Sequence, residues 1–137
     1  MAALGAALIV LAGALHGCNA RGGPDRVIVS GKVSYNGQPV HEGRLRFIPL
    51  AETTGPVSIA FIKDGSYSTA DAGGVPVGHH RAEILAYDPA ELASRQPGFG
   101  QPAPRQLLPA KYNKNSQLSV EIAAGGKQLV HDFDLER

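Results

Sequence analysis

The 137-residue sequence contains one cysteine, no tryptophan and a formal net charge of only +1. With Cys18 alone, no disulfide can form within the chain, so the fold has to rest on its apolar core. A net charge so close to zero is not typical of nucleic-acid-binding proteins, which need basic residues to neutralise phosphates. We therefore exclude nucleic acid from the expected partners.

Glycine and proline, in contrast, are abundant, with 17 and 10 residues. This composition favours many turns and short elements, which is more typical of an all-β domain than of a helical bundle. The length fits one small globular domain with a short appendage.

A largely apolar run occupies residues 2–17 and ends at Cys18 (AALGAALIVLAGALHGC). The run is too short for a membrane-spanning helix and has the length of a signal-peptide core. Leu15, His16, Gly17 and Cys18 resemble the lipobox of bacterial lipoproteins. That resemblance implies a lipoprotein signal peptide over residues 1–17 and a lipid anchor on the Cys18 thiol. The alternatives are an ordinary secretory signal, with Cys18 incidental, and a buried helix of the fold.

The anchor would place the protein in the bacterial cell envelope, facing the periplasm or the exterior, with the membrane as its first partner. Stable anchoring requires more than one acyl chain, because each buried CH₂ contributes only about 0.8 kcal/mol. Residues 18–26 show no periodicity and are rich in Asn, Arg, Gly, Pro and Asp, which predicts a flexible tether. The domain then covers residues 27–137.

From Val27 onward, apolar and polar residues alternate with a period of two, as half-buried strands require. The pairs Asn36-Gly37 and Asp64-Gly65 suit the positive φ angles of type I′ hairpin turns. The link from Gln38 to Gly43 is long enough to leave open whether the first two long strands pair. Seven short strands with glycine-rich turns predict a β-sandwich.

In two of these strands the alternation predicts which residues share a side. In the second, Leu45 and Phe47 share one side, and Arg44 and Arg46 point to the opposite, wetter side. In the third, one side carries three apolar residues, which are Val57, Ile59 and Phe61.

A long connection over residues 88–116 contains five prolines and cannot be strand. It opens with Asp88 as a candidate N-cap, Pro89 at the first helical position and Glu91 at the third, which predicts one or two helical turns. Connections of this length are usually functional or disordered. Its mixture of cations and aromatics suits sugar or protein contact, so the candidate ligand-binding residues are Arg95, Phe99, Arg105, Lys111 and Tyr112. The alternative is a disordered covering.

The sequence offers little for catalysis or for metal binding. No serine lies in a nucleophile-elbow pattern, and Cys18 is assigned to the anchor. His79 and His80 are adjacent on a predicted strand, so their side chains leave opposite faces and cannot both bind one ion. We predict no catalytic residues, no metal and no cofactor.

Several motifs together resemble a known family, the carboxypeptidase regulatory-like domain, a transthyretin-related β-sandwich. In order, they are Gly31-x-Val33, Asn36-Gly37-x-Pro39-Val40, Glu42-Gly43, Lys63-Asp64-Gly65-Ser66-Tyr67 and Val77-Gly78. Small bacterial lipoproteins of unknown function carry this domain alone, and the chain is similar to them from Cys18 to its end. The resemblance implies a seven-stranded Greek-key β-sandwich and a companion role without catalytic residues. His80 replaces an aromatic residue that is usual in the family, and we expect it to pack.

The expected function is that of a lipid-anchored β-sandwich acting as a non-catalytic binding or interaction module. Its partner would be an envelope protein or a polysaccharide. The alternatives are a structural or assembly subunit that pairs through a sheet edge, and a carbohydrate-binding accessory protein.

Overall fold

The computed structural model describes residues 23–137 of the chain. The predicted signal peptide over 1–17, Cys18 and most of the predicted tether over 18–26 lie outside the described residues and stay predictions. The first strand begins at Arg26, one residue before the predicted start of the domain.

The described residues form an all-β fold, as the sequence predicts, with two short helices. Ten strands are present rather than seven, because two extra two-residue strands occur and the last predicted strand is divided. The strands are β1 (Arg26–Tyr35), β2 (Gln38–Pro39), β3 (Glu42–Pro49), β4 (Ser58–Lys63), β5 (Ser66–Ser68), β6 (Val75–Pro76), β7 (Gly78–Tyr87), β8 (Ser119–Ile122), β9 (Gln128–Val130) and β10 (Phe133–Leu135).

All ten strands belong to one curled, mainly antiparallel sheet. Its order is β10-β1-β5-β4-β3-β7-β8, and the short strands β2, β6 and β9 also pair with β1. The long strand β1 therefore joins most of the small strands, whereas β3 lies at the centre of the long antiparallel ones.

Both predicted hairpin turns are confirmed. Asn36 and Gly37 have φ angles of 50° and 76°, and Asp64 and Gly65 have φ angles of 47° and 76°. These positive pairs are what a type I′ turn requires. The turns close the β1–β2 and β4–β5 hairpins, although β2 contributes only two residues.

Strand β3, the second long strand, does not pair with the first long strand, β1. It pairs with β4 on one side and with β7 on the other. Leu45 of β3 lies opposite Ala60 and Ile84, and all three are buried. The β4-β3-β7 section is thus the most regular part of the sheet.

The two ends of the domain meet, because β1 runs parallel to both β9 and β10. Gly31 lies at the crossing between these two pairings. A Cβ atom at this position would overlap the backbone carbonyl of His131, so the close approach requires glycine.

The core lies inside the curled sheet and is built around aromatic rings. The rings of Phe47, Tyr67 and Phe133 have centroids 6.0–6.5 Å apart. His80 is fully buried and meets Phe47 edge-on at 6.4 Å, so it packs as expected. The other buried apolar residues are Val27, Val29, Val33, Val40, Leu45, Ala60, Ile62, Val75, Ala82, Ile84, Ala86, Leu108, Val120, Ile122 and Leu135.

The long connection begins with the predicted helix. Helix α1 spans Pro89–Ser94, and the Asp88 carboxylate caps it by accepting the backbone N–H of Ala90 at 2.8 Å. A 3₁₀ helix follows at Ala110–Tyr112. Within residues 23–137, no helix has the length and apolar character needed to cross a membrane.

The rest of the connection is folded against β7 by specific hydrogen bonds. The side-chain oxygen of Gln106 accepts the N–H of Ala86 at 2.8 Å, and Leu107 donates to the Ala86 carbonyl. Further along, the Ser116 hydroxyl donates to the Ala82 carbonyl. The pairing of β7 with β8 ends at Arg81, and these bonds satisfy backbone groups of β7 after that residue, as buried main chain requires.

Candidate functional site

The apolar side of β4 faces outward. Ser58, Ala60 and Ile62 are buried, whereas Phe61 is 76% exposed and Val57 and Ile59 are each 39% exposed. The side identified in the sequence as apolar is therefore the one turned to solvent. A run of exposed apolar side chains on one strand is unusual for a soluble surface and marks a candidate interaction site.

We use the term outer face for the outward side chains of the β4-β3-β7 section. Cross-strand pairing determines which of these side chains are neighbours, because residues directly opposite each other in paired strands lie side by side on one face. Arg44 lies between Phe61 and Leu85, and Arg46 lies between Ile59 and Glu83. The outer face comprises Glu42, Arg44, Arg46 and Ile48 of β3, Ile59, Phe61 and Lys63 of β4, and Arg81, Glu83, Leu85 and Tyr87 of β7.

Glu83 is the best-satisfied charge on this face. Although it points outward, it is only 8% exposed. Arg46 Nη1 donates to its Oε2 at 2.9 Å, and Arg81 Nη2 forms an ion pair with its Oε1 at 2.8 Å. Both carboxylate oxygens are therefore engaged by guanidinium groups, the pairing that stabilises a carboxylate most strongly.

Arg44, two residues before Arg46 on the same strand, has no such partner. Its side chain forms no hydrogen bond or ion pair with residues 23–137, and its Nε atom is buried. A buried donor without an acceptor costs about 1–3 kcal/mol. The terminal nitrogens of Arg44 are not buried, so the guanidinium can donate to an external anion.

The outer face is also cationic as a whole. It holds four cations, Arg44, Arg46, Lys63 and Arg81, and two carboxylates, Glu42 and Glu83, for a net charge of +2. The complete chain has a net charge of +1, so the remainder is slightly acidic. The outer face is therefore positive relative to the rest of the molecule and should attract anions.

Two depressions adjoin Phe61. The Arg44 cleft, of about 340 Å³, opens between the outer face and the long connection, and is lined by Glu42, Gly43, Arg44, Phe61, Tyr87, Leu92 and Pro104. The edge groove, of about 540 Å³, runs along the other side of β4, and its lining includes Ile59, Phe61, Lys63, Ser66, Ser68 and Asp71. Phe61 forms the ridge between them.

The edge groove exists because β4 is paired unequally. All six residues of β4 pair with β3, but only Ile62 and Lys63 pair with β5. Beyond this point β5 leaves to pair with β1. Within residues 23–137, the backbone of β4 from Ser58 to Phe61 therefore has a strand on one side only, which is the condition for strand addition.

The residues predicted from the sequence lie in the long connection and form two separate groups. In the first, Arg95 pairs with Glu91 at 3.3 Å and also donates to the Pro102 carbonyl. The backbone N–H of Arg105 donates to the same Glu91 carboxylate at 3.1 Å, and Phe99 is fully exposed.

The second group lies at the 3₁₀ helix. The Lys111 ammonium is 5.0 Å from the centroid of the Tyr112 ring. The Tyr112 hydroxyl donates to the Glu136 carbonyl at 2.7 Å and accepts the Glu136 N–H at 2.9 Å. Tyr112 therefore holds the C-terminal segment in place. None of the five residues lines the Arg44 cleft or the edge groove.

The histidines adjacent on β7 point to opposite sides, as predicted. His79 is exposed and His80 is buried, where desolvation lowers the pKa of the imidazole. Within residues 23–137, no group of three His, Cys, Asp or Glu side chains is arranged to hold a metal ion.

The sequence placed Arg44 and Arg46 on the solvent-facing side of β3 but did not predict that Phe61 lies on the same face, beside Arg44. A signal was available in the Asp64-Gly65 turn. A two-residue turn sets Ile62 opposite Tyr67, and a buried Tyr67 then turns Ile62 inward and Phe61 outward.

Comparison with known proteins gives no relative on which to base a function, since no protein-family model, curated protein or solved structure matches the chain.

Proposed function

We propose that the chain is a lipid-anchored, non-catalytic binding or interaction module of the bacterial cell envelope, and that the outer face is its binding surface. One observation carries the proposal: exposed Phe61 lies in register beside Arg44, a cation without a partner among residues 23–137, and exposed Ile59 lies in the next row of the same face. Exposed apolar area is costly in water, and a ligand that covers the face removes this cost while its anionic groups accept from Arg44.

The anchoring part of the proposal rests on the sequence. The lipobox-like residues Leu15 to Cys18 support lipidation of Cys18, which would hold the domain in the envelope facing the periplasm or the exterior. The motifs that resemble the carboxypeptidase regulatory-like domain support a transthyretin-like Greek-key sandwich. The curled all-β sheet is compatible with that architecture.

Binding through the outer face can be tested by retention on isolated cell-envelope material. We expect Phe61→Ser to lower the retained fraction of the full chain several-fold, because the replaced ring loses most of its apolar contact area, on the order of 100 Å² or more. Phe99→Ser, which removes a fully exposed phenylalanine of the long connection, is the matched control and should retain the wild-type fraction. Equal retention of the Phe61 variant and wild type would contradict the proposal.

The anchor is tested separately by metabolic labelling with a clickable fatty acid. The wild-type chain should take up the label and Cys18→Ala should not. An unlabelled wild-type chain, or label that survives the substitution, would defeat the lipoprotein assignment while leaving the binding surface untouched.

A second candidate function is that of an assembly subunit that pairs through the β4 edge, and the edge groove favours it. Because Lys63 closes the hairpin with Ser66, alternation along the strand directs the N–H of Ile59 away from β3, towards the groove. Ile59→Pro removes this N–H, whereas Ile59→Ser removes only the apolar side chain. Strand addition predicts that the proline variant loses the partner completely and that the serine variant keeps part of the binding.

A further inference from the structure

We infer that the Arg44 cleft binds a carboxylate-bearing sugar, so that the ligand of the module is an anionic polysaccharide of uronic acid type. This inference rests on the proposed binding function of the outer face and adds the chemical class of its ligand.

Arg44 supplies the positive charge of the cleft. Its guanidinium has no acceptor among residues 23–137, and its Nε is already out of water. A guanidinium presents parallel N–H groups that match the two oxygens of a carboxylate, and such bidentate pairs are among the strongest polar contacts in proteins. An incoming carboxylate would accept from the terminal N–H groups of Arg44, which lines the cleft.

The walls of the cleft suit a sugar ring. Phe61 and Tyr87 supply aromatic surface, and Leu92 and Pro104 close the side formed by the long connection. The apolar C–H faces of a pyranose can lie against such walls while its substituents point to polar groups. The cleft of about 340 Å³ falls in the range of sites that hold small ligands, which is about 300–1,000 Å³.

Glu42 favours a sugar over an acidic peptide side chain. It lines the same cleft as Arg44 but forms no ion pair with it within 4.0 Å. A ligand has to satisfy a cation and a carboxylate at once. A uronic acid does this with one residue, since its carboxylate accepts from Arg44 and its ring hydroxyls donate to Glu42, whereas an Asp or Glu side chain brings only acceptors.

The surroundings favour a polymer over a single sugar. The net positive charge of the outer face continues from Arg44 to Arg46 and Arg81 along the β3 and β7 rows. A chain with a carboxylate on every residue gains from this extended positive region, and long-range attraction also speeds its association. The binding should therefore weaken as salt rises.

The test uses the full chain in detergent with three polymer probes at low ionic strength. Polygalacturonate carries the carboxylates, its fully methyl-esterified form has the same sugar backbone without the charge, and poly-glutamate carries carboxylates on a peptide. We expect polygalacturonate to bind at least about tenfold more tightly than either of the other two, as measured by calorimetry or affinity electrophoresis.

Variants at Arg44 locate the site. Arg44→Gln should weaken polygalacturonate binding by about tenfold or more, and Arg44→Lys should show an intermediate loss, because lysine keeps the charge but not the bidentate geometry. Arg105→Gln removes an exposed arginine of the long connection and is the matched control. Circular dichroism of each variant confirms that the fold is retained.

Each contrary result has a definite meaning. Equal binding of poly-glutamate, or of the esterified polymer, would overturn the sugar-carboxylate assignment. Wild-type affinity in both Arg44 variants would overturn the location. If polygalacturonate does not bind although retention on envelope material still depends on Phe61, the ligand class is wrong and the proposed function stands. If retention is independent of Phe61 as well, both fail.

Discussion

The outer face and the long connection over residues 88–116 both combine cations with aromatic residues, but they differ in how these groups are used. In the long connection, Glu91 engages both Arg95 and the backbone of Arg105, and Tyr112 is bonded to Glu136. On the outer face, Arg44 engages none of residues 23–137. Arg95 and Tyr112 are thus satisfied within the fold, whereas Arg44 is left available.

This difference shows that composition alone does not identify a binding surface. A cation whose hydrogen bonds are already made within the fold has little to offer a ligand, and removing it mainly affects local order. A cation that the fold leaves without an acceptor gains its missing bonds on binding. The following predictions test this contrast, beginning with the largest expected effect.

The largest difference is expected between the contributions of Glu83, on the outer face, and Glu91, in the long connection, to the free energy of unfolding. Glu83→Gln should lower the free energy of unfolding by about 2 kcal/mol, because Glu83 is buried and two arginines lose a charged acceptor. Glu91→Gln should cost under about 0.5 kcal/mol, since its pair with Arg95 is more exposed. Urea denaturation measures both. Equal losses would mean that the outer-face ion pairs contribute no more than those of the connection.

The inward side of β7 provides a pH-dependent contrast with its outward side. Burial lowers the pKa of His80, so below the ordinary value of about 6.5 the unfolded chain binds a proton that the folded chain resists. The free energy of unfolding should be highest above about pH 6.5 and should decrease as the pH falls below that value, by up to about 1.4 kcal/mol per pH unit. His80→Phe should flatten this decline, and His79→Phe, on the exposed side, should preserve it. Chemical denaturation between pH 5 and 7.5 measures the slopes, and an unchanged slope in His80→Phe would contradict this assignment.

Arginines without and with partners should respond differently to an uncharged replacement. Arg44→Met keeps most of the apolar stem and removes an unsatisfied charge, so the free energy of unfolding should change by less than about 0.5 kcal/mol, or rise. Arg95→Met loses the bonds to Glu91 and Pro102 and should be destabilised by about 1 kcal/mol. Thermal unfolding of the two variants measures both changes. A larger loss of stability in Arg44→Met than in Arg95→Met would contradict this prediction.

The smallest effect is expected from the tip of the long connection. Replacing Pro97–Gln101 by Gly-Ser-Gly removes exposed Phe99 but leaves Leu92 and Pro104 at the Arg44 cleft. Retention on envelope material should stay within about twofold of the wild type. A loss of binding would instead support the sequence-based prediction that the ligand binds through residues such as Arg95, Phe99 and Arg105.

Local rules explain what the sequence predicted well. The Asn36-Gly37 and Asp64-Gly65 turns, the Asp88 cap and the alternation of β3 and β7 each depend on a few adjacent residues. All of them are present in the structure as expected.

What the sequence did not reveal depends on distant contacts. Both sides of β4 contain apolar residues, and the pairing of Ile62 with Tyr67 decides which side is buried. The lack of a partner for Arg44 among residues 23–137 depends on where Glu83 lies, 39 positions away in sequence, and on the pairing of Glu83 with Arg46 and Arg81. The order of the long connection likewise depends on its bonds to β7.

The parallel pairing of β1 with β9 and β10 has a consequence for synthesis of the chain. Val33 pairs with Phe133 and Tyr35 with Leu135, so this part of β1 gains its parallel neighbour only after β10 has been made. Contacts over such sequence distances slow folding, because a large loop must close before they form. A nascent chain stopped before β10 would leave residues 33–35 of β1 without this neighbour. This part of the sheet is therefore completed late in folding, after the strands that pair over shorter sequence distances.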